Sequence, residues 1–319
     1  ENDGQFKLQI FNQMLEEERK KGGNLEKLAQ QYDKYPELIV SIPKIDEEMV
    51  NDPEGFVING NISVEKIFKP LMKKQIKNWN IASKFVRYIK DYIYEKYIIQ
   101  TLNHGTTLLK PHSEIWFMPT VFRNEKGDEE DSEGGSGFSN MTQNFTKVLM
   151  DNQWFRENYC VAILHSTGFD TTQIKFIDAK EKGGYNVKWN EADVEETGNS
   201  YCITTKCPND KKDGVKKCLL KQEACAKANG KSLIILTGKM LRLGVSLPCV
   251  DIALHMDPIK SVDTIYQSMF RVLTEREGKS AGIFIDMLTT RQISFMYEYM
   301  NYISNSTNTL TTEKKMKKL

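Results

Sequence analysis

Cysteine is scarce in this sequence, which has six cysteines among 319 residues. Domains stapled by disulfides carry more cysteines for their size, so the composition fits a reducing compartment. The cysteines at 202, 207, 218 and 225 are spaced more widely than the tight pairs of zinc ribbons, and the four histidines are scattered. We therefore expect neither a disulfide scaffold nor a metal site.

The sequence also lacks long apolar runs and an excess of one charge. No apolar stretch approaches the ~18 residues of a membrane span, and residues 1–7 lack the features of a signal peptide. The net charge is +1, which neither demands nor excludes nucleic acid, because a local basic surface suffices to bind it. With 39% hydrophobic and 27% charged residues, we expect a globular, cytoplasmic protein that makes no membrane contact.

Short aliphatic runs alternate with amphipathic stretches over the later two thirds of the sequence. The predicted strands are 115–118, 161–164, 233–236, 252–255 and 282–285, and the predicted helices are one through Phe145, one at 215–228 and one at 261–273. Runs of about four aliphatic residues between helices indicate strands that are buried on both faces of a parallel sheet. The predicted fold class is α/β, with helices on both faces of the sheet and an N-terminal helical segment.

Two segments depart from this alternation. Residues 1–60 are predicted to contain one short helix, 6–21, followed by a Gly-Gly break and then by loops and connections with three scattered prolines. Residues 168–212 are predicted to be an insertion that contains a hairpin, with strands at 173–177 and 185–189. We divide the chain into a helical and linker segment, 1–103, and an α/β lobe, 104–319.

The segment 63–102 has helical periodicity and is rich in basic and aromatic residues. Its apolar residues recur at steps of four or five, which predicts two helices. The basic residues and the interleaved aromatics are Lys66, Lys69, Lys73, Lys74, Lys77, Lys84, Arg87, Lys90, Trp79 and Tyr88. This mixture is typical of a surface that follows phosphates and stacks bases, but also of a solvated helix whose aromatics lie in the core. Both interpretations stay open.

Gly230-Lys231-Ser232 looks like the end of a phosphate-binding loop but has the wrong context. Position 225 is cysteine where the loop needs its first glycine, and the tripeptide follows a predicted helix and precedes a strand. A phosphate loop needs the reverse order, so that amides at the start of a helix face the phosphate. The sequence therefore predicts no phosphate loop.

Two stretches further along place polar residues beside predicted strand ends. One strand ends in Thr237-Gly238, and the chain then passes Gly244 and Ser246 before the next apolar run. Beyond it, Gln267 and Arg271 are four residues apart, on one face of a predicted helix. Ligands of α/β sheets bind at the carboxyl ends of strands, so both stretches are predicted to lie there.

The order of these stretches resembles the second RecA-like lobe of superfamily 2 helicases. The motif V region is resembled by three segments, Leu236-Thr237-Gly238, 243–248 and 255–258. The segment from Gln267 to Arg276 resembles motif VI. Upstream, 114–120 resembles the motif IV strand and 161–166 the strand after it. In detail the sequence is similar to helicase-like ATPases of large cytoplasmic DNA viruses, including early-transcription-factor relatives.

The resemblance implies a RecA-like lobe that helps to bind a nucleotide. In such two-lobe ATPases, ATP lies between the lobes, and the second lobe contributes a guanidinium to the phosphates. It implies Arg271 as this arginine finger, with Arg276 as second choice, and Gln267 beside them. Gly244 and Ser246 would also contact the nucleotide. ATP and Mg²⁺ would be held mainly by a first lobe, whose motifs we do not find in the sequence.

The sequence departs from the family pattern at three positions of these motifs. Phe270 replaces the usual glycine, and Thr274 replaces the usual second arginine. Ser246 stands where many members carry aspartate. Which arginine acts as the finger therefore stays open at this point.

The resemblance further implies contacts to a nucleic-acid backbone through hydroxyls and amides. The implied residues are Thr120, Ser166, Thr237 and Gly238, and such contacts carry no sequence preference. We expect DNA rather than RNA, the first lobe, and transcription or replication proteins as partners. A viral protein would act at cytoplasmic replication sites or in the virion. The predicted function is the motor lobe of an ATP-dependent DNA helicase or translocase.

Three alternatives belong to different functional classes. The lobe could translocate on a duplex without unwinding it. It could serve as a nucleic-acid-binding or assembly module of a viral transcription ATPase. It could also be an α/β ligand-binding domain that is unrelated to helicases.

Overall fold

A sheet of seven strands forms the centre of the fold. The computed structural model describes residues 36–41, 43–74, 79–98, 111–123, 129–131, 136–165, 168–169, 173–177, 186–190, 214–238, 241, 247–258, 261–277, 279, 281–288 and 291. The strands are β1 (Glu37–Ser41), β2 (Val57–Ile58), β3 (Asn61–Ile62), β4 (Ser113–Phe117), β5 (Val121–Arg123), β6 (Glu129–Asp131), β7 (Tyr159–His165), β8 (Gly168–Phe169), β9 (Gln173–Ile177), β10 (Asn186–Asn190), β11 (Ser232–Thr237), β12 (Val250–His255) and β13 (Ala281–Asp286).

The strands of the central sheet follow the order β1-β13-β12-β4-β11-β7-β8. All neighbours are parallel except the short edge strand β8, which is antiparallel to β7. The central strand β4 pairs with β11 on one side and with β12 on the other. The strand order therefore reverses beside β4, and this position at the carboxyl ends of the strands is where α/β sheets usually bind ligands.

Helices cover both faces of the sheet. They are α1 (Glu47–Asn51), α2 (Val64–Phe68), α3 (Asn80–Tyr88), α4 (Ser136–Asp151), α5 (Gln153–Asn158), α6 (Gly214–Ala228) and α7 (Val262–Met269). Alternate strand residues enter two separate cores, so that Trp116 of β4 faces the core shared with α2–α5, and Ile115 and Phe117 face the core shared with α6 and α7. The predicted α/β fold, a RecA-like parallel sheet with helices on both faces, is confirmed.

Strand β1 lies in a segment that was expected to form loops. Residues 37–41 pair in parallel with β13 at the edge of the sheet. Leu38 is buried in one core, and Ile39 packs against the other. Pro36 and Pro43 flank the strand. The prolines of this segment favoured the prediction of loops, although the segment contains a short apolar run that forms the strand. The helix predicted at 6–21 lies outside the described residues.

The predicted helices between 63 and 102 are present in modified form. Ser63 caps α2 by accepting a hydrogen bond from the Lys66 amide at 3.2 Å, and a 3-10 turn, Lys69–Met72, follows α2. After α3 the chain continues as a π-helix, Ile89–Ile98. Its hydrogen bonds reach one residue further than those of an α-helix, which accommodates the apolar spacing of four or five residues.

The segment that was predicted to be an insertion contains the two strands of the expected hairpin. Strands β9 and β10 are antiparallel, with Gln173 opposite Asn190 and Ile177 opposite Asn186. Its predicted turn, at 182–184, lies outside the described residues. Within the described part of the chain, no helix has the length and apolarity needed to cross a bilayer.

Candidate nucleotide and nucleic-acid interface

The carboxyl ends of three neighbouring strands meet at one edge of the sheet. Beyond β4, the Met118 amide donates to the Thr237 carbonyl at 2.8 Å. On the other side, the Met256 amide donates to the Phe117 carbonyl at 2.9 Å. The ladder therefore continues past the ends of β4, β11 and β12. It brings together three segments that were singled out from the sequence, 118–120, 237–238 and 255–258.

Thr120 is fully buried and orients the Asp257 carboxylate. Its amide and its hydroxyl both donate to Asp257 Oδ2, at 3.2 Å and 2.7 Å. A contact between this hydroxyl and a phosphate would require the bond to Asp257 to break. The structure therefore gives Thr120 a role in holding the loop, and its contact to nucleic acid stays a prediction.

Thr237 and Gly238 lie at the end of β11, and the Thr237 side chain differs from that of Thr120 in its hydrogen bonding. Both residues are buried, and the Thr237 hydroxyl has no hydrogen-bond partner among the described residues. A buried hydroxyl without a partner costs free energy, so this group is suited to a polar ligand. Ser166, Gly244 and Ser246 lie outside the described residues, and their contacts stay predictions.

A buried ionic cluster at the same edge was not predicted. Arg291 Nε donates to Asp286 Oδ2 at 2.8 Å, and its Nη2 pairs with Asp286 Oδ1 and contacts His255 Nδ1 at 2.8 Å. Arg291 Nη1 also donates to the Asp257 carbonyl. This single guanidinium therefore ties together the ends of β12 and β13. His255 and Asp257 lie more than thirty positions before Arg291 in the sequence, and no spacing rule indicates their contacts with it.

Helix α7 carries the residues that resemble motif VI away from this edge. Ser261 caps the helix through its hydroxyl, which accepts from the Thr264 amide at 3.4 Å. Gln267 is partly exposed on α7, and Arg271 follows in a 3-10 turn, Phe270–Leu273. Because α7 connects the parallel neighbours β12 and β13, it runs antiparallel to them and ends near their amino ends.

The expectation that motif VI lies at the carboxyl ends of the strands is therefore wrong for Arg271 and Arg276. The 3-10 turn packs so closely on β13 that a Cβ on Gly282 would overlap the Val272 carbonyl. Arg271 is partly buried, and burial lowers the pKa of its guanidinium. An arginine in such a site keeps its charge.

Arg276 is held in an ionic cluster on the amino side of the sheet. Its Nη1 donates to Glu223 Oε1 of α6 at 2.6 Å, and the same oxygen accepts from Lys227 at 2.5 Å. Burial opposes the charge of Arg276, but the hydrogen bond and charge of Glu223 outweigh it and raise its pKa. Lys279 lies nearby and donates to the carbonyls of Val250 at 2.5 Å and Thr274 at 3.2 Å.

The side chains that could contact a nucleotide here are a guanidinium and a side-chain amide. The Arg271 guanidinium fits the oxygens of a phosphate, and the Gln267 amide precedes it by one helical turn. Among the residues that the structure describes, no three His, Cys, Asp or Glu side chains form a group that could hold a metal ion. The described residues thus fit contacts to phosphate oxygens and offer no ligand set for Mg²⁺.

Comparison with known proteins yields only distant structural likenesses. No protein-family model matches the chain, and no curated protein matches it. Among solved structures, an ATP-dependent Type ISP restriction-modification enzyme, LlaBIII, bound to DNA, is similar over 81% of this chain, at 14% sequence identity and a TM-score of 0.37. The similar region spans 12% of that enzyme's chain. A likeness at this level identifies no function.

Proposed function

We propose that this chain is the second RecA-like lobe of an ATP-dependent superfamily 2 DNA helicase or translocase. One observation carries the proposal. The stretch that resembles motif IV falls on β4, and the stretches that resemble motif V fall at the ends of β11 and β12 of the same parallel sheet. The stretch that resembles motif VI begins on α7, which packs on that sheet. The intact protein would hydrolyse ATP with Mg²⁺, and the chain alone would be inactive because its sequence has no phosphate loop.

Arg271 is the residue that we assign as the arginine finger. Arg276 has its guanidinium on Glu223, an interaction that joins α6 to the end of the motif VI segment. Removing it would leave Glu223 without one of its two cationic partners, so its role is structural. Arg271 would donate to the phosphate oxygens of ATP as charge develops on them, and Gln267 would line the same crevice between the two lobes.

The nucleic-acid track would run along the carboxyl edge of the sheet. Thr237 and Gly238 would meet the phosphate backbone there, with Ser166 and Thr120 on the flanking strands and Gly244 and Ser246 toward the nucleotide. Backbone contacts of this kind position a strand without reading its sequence. The proposal also includes a relationship to viral ATPases, a cytoplasmic location, and transcription or replication proteins as partners. These parts rest only on the sequence motifs.

A second candidate is a nucleic-acid-binding or assembly module without unwinding activity. It is favoured by the departures from motif VI, where Phe270 and Thr274 replace the usual glycine and second arginine. In such a module the loss of Arg271 would not change ATP turnover.

The deciding experiment measures ATP turnover, stimulated by nucleic acid, of the intact polypeptide that contains both lobes. We expect Arg271→Ala to lose roughly a thousandfold or more in turnover while nucleic-acid binding is retained. Arg276→Ala is the matched control and should lower stability more than turnover, with folding checked by circular dichroism. Normal turnover in both variants would favour the module and contradict the finger assignment.

A further inference from the structure

One basic and aromatic patch on the helical layer has no role in the proposed motor chemistry. It consists of Lys73, Lys74 and Trp79, which are all exposed, with Trp79 at 41%. Within the described chain, neither lysine has a carboxylate partner. We refer to these three residues as the Lys73–Trp79 patch.

Other basic residues of the same segment are already engaged. Lys69 pairs with Glu65 at 2.9 Å, Lys84 with Asp52 at 2.7 Å, and Lys90 with Asp91 at 3.3 Å. Tyr88 is buried, and its hydroxyl donates to the Lys44 carbonyl at 2.9 Å. Three lysines of the segment are thus neutralised, whereas Lys73 and Lys74 are exposed.

Helix α4 places the lysines of the patch at the carboxyl edge of the sheet. This helix lies between β4 and β7, which run parallel, so its first turn lies near the carboxyl end of β4. Met72 contacts that first turn, because a Cβ on Gly137 would meet the end of its side chain at 2.7 Å. The side-chain amides of Asn140 and Asn144 hold the carbonyls of Met72 at 3.1 Å and of Lys73 at 3.0 Å.

The direction of α3 places Trp79 on the same side. The helical run that starts at Trp79 ends near the amino edge, where the Tyr94 ring lies 5.8 Å from that of Tyr159, the first residue of β7. Midway along the run, Phe85 packs on Phe145 of α4, with ring centroids 6.5 Å apart. Trp79 precedes Phe85 by about 9 Å of helix and therefore lies toward the carboxyl edge.

We infer that the Lys73–Trp79 patch binds single-stranded nucleic acid and extends the track at the carboxyl edge of the sheet. The two ammonium groups would meet phosphates, and the indole would stack on a base. Lys74 and Trp79 are five positions apart in the sequence, so their Cα atoms are at most about 18 Å apart, within the reach of one short strand. The inference rests on the proposed function and adds a contact surface outside the strand ends.

The test measures binding of the 319-residue chain to fluorescent single-stranded DNA and RNA oligonucleotides by anisotropy over a range of salt concentrations. Replacing both lysines, K73Q with K74Q, should lower the slope of log K against log salt by about 1.4, because each phosphate contact to a single strand contributes ~0.7. Trp79→Ala should weaken binding roughly five- to a hundredfold, and Trp79→Phe should restore most of the affinity.

Matched controls lie at the opposite edge of the sheet. K227Q with K231Q removes the same charge beside the start of β11, and Phe270→Ala removes another exposed aromatic. Both controls should bind nearly as well as the wild type. All variants should keep the wild-type circular dichroism spectrum.

Three results are decisive. Weakened binding by the patch variants alone supports the inference, and a difference between the DNA and RNA arms names the preferred strand. If the patch variants bind like the controls, the inference is wrong, while the motor assignment is untouched because it depends on turnover by Arg271→Ala. If the wild-type chain binds neither oligonucleotide, the inference is overturned as well.

Discussion

Single buried charges fix the positions of the candidate site residues. Arg291 is 7% exposed and joins the Asp286 carboxylate to the Asp257 carbonyl, so the ends of β12 and β13 depend on one side chain. Near the amino ends of the strands, the Glu223 carboxylate of α6 accepts a hydrogen bond from Arg276 and holds that side chain against the helix. Buried charges that lose a partner are costly, so each of these groups constrains its neighbours. The loop that carries Arg271 lies next to the second cluster.

Lys279 gives that second cluster a measurable pH dependence. Burial lowers its pKa to about 8, although Asp251 and Cys249 oppose the shift. A lysine in the unfolded chain titrates near 10.4, so between about pH 8 and pH 10.4 the unfolded chain holds a proton that the folded chain has lost. The contribution of Lys279 to the free energy of unfolding should therefore rise with pH across this window, by an amount on the order of 3 kcal/mol. The raised pKa of the neighbouring Cys249 thiol, about 11, gives an opposite contribution above about pH 9.

The measurement is urea unfolding at several pH values, with Lys279→Met beside the wild type. The variant lacks the titrating group, so its unfolding free energy should rise less over the same window. Lys44→Met, at an exposed lysine, is the matched control and should follow the wild type. Parallel pH profiles for the wild type and Lys279→Met would show that Lys279 titrates normally.

At the scale of elements, the contact between the 3-10 turn and β13 sets the position of Arg271. Gly282→Ala would place a Cβ against the backbone carbonyl of Val272, the residue after Arg271. Because backbone cannot move aside as a side chain does, we expect the turn to shift and stability to fall by about 1–3 kcal/mol. If Arg271 is the finger, turnover of the intact protein should fall as well.

Gly137→Ala is the control for this prediction. Its new Cβ would meet the end of the Met72 side chain at 2.7 Å, and that side chain can change rotamer at little cost. Denaturant midpoints of the two variants give the comparison. Equal losses of stability would contradict the close packing of β13 against the turn.

Elements with a strong local pattern were predictable, and those defined by distant contacts were not. The aliphatic runs at 233–236 and 252–255 became β11 and β12. The predicted hairpin strand at 173–177 is β9, and the strand predicted at 185–189 is β10, which begins and ends one residue later. Strand β1 was missed because its pairing with β13 joins residues more than two hundred positions apart, which periodicity does not report. Thr120 and Thr237 were placed at strand ends, but the bond from Thr120 to Asp257 needed the folded chain.

At the scale of the whole molecule, the described residues between Phe56 and Tyr94 and the central strands share one core. Phe85 is fully buried, and its ring lies 5.9 Å from Phe68 and 6.5 Å from Phe145, which joins α2 and α3 to α4. The same core includes Trp116 of β4 and Ile285 of β13. The helices on this face therefore shield the sheet from solvent, and β1 forms one edge strand of the sheet. We expect the described elements to unfold as one cooperative unit.

Phe85→Ala tests this cooperativity. The variant should lose about 3–5 kcal/mol, because it opens a cavity among aromatic rings that are held in place by the sheet. In a single unit, circular dichroism and tryptophan fluorescence would both report one transition at a lower urea concentration, with an unchanged dependence on urea. Ile58→Ala, at a side chain that is 48% exposed, is the control and should unfold like the wild type. Two separate transitions in Phe85→Ala, the second at the wild-type midpoint, would show instead that the helical layer unfolds independently and that the sheet is stable without it.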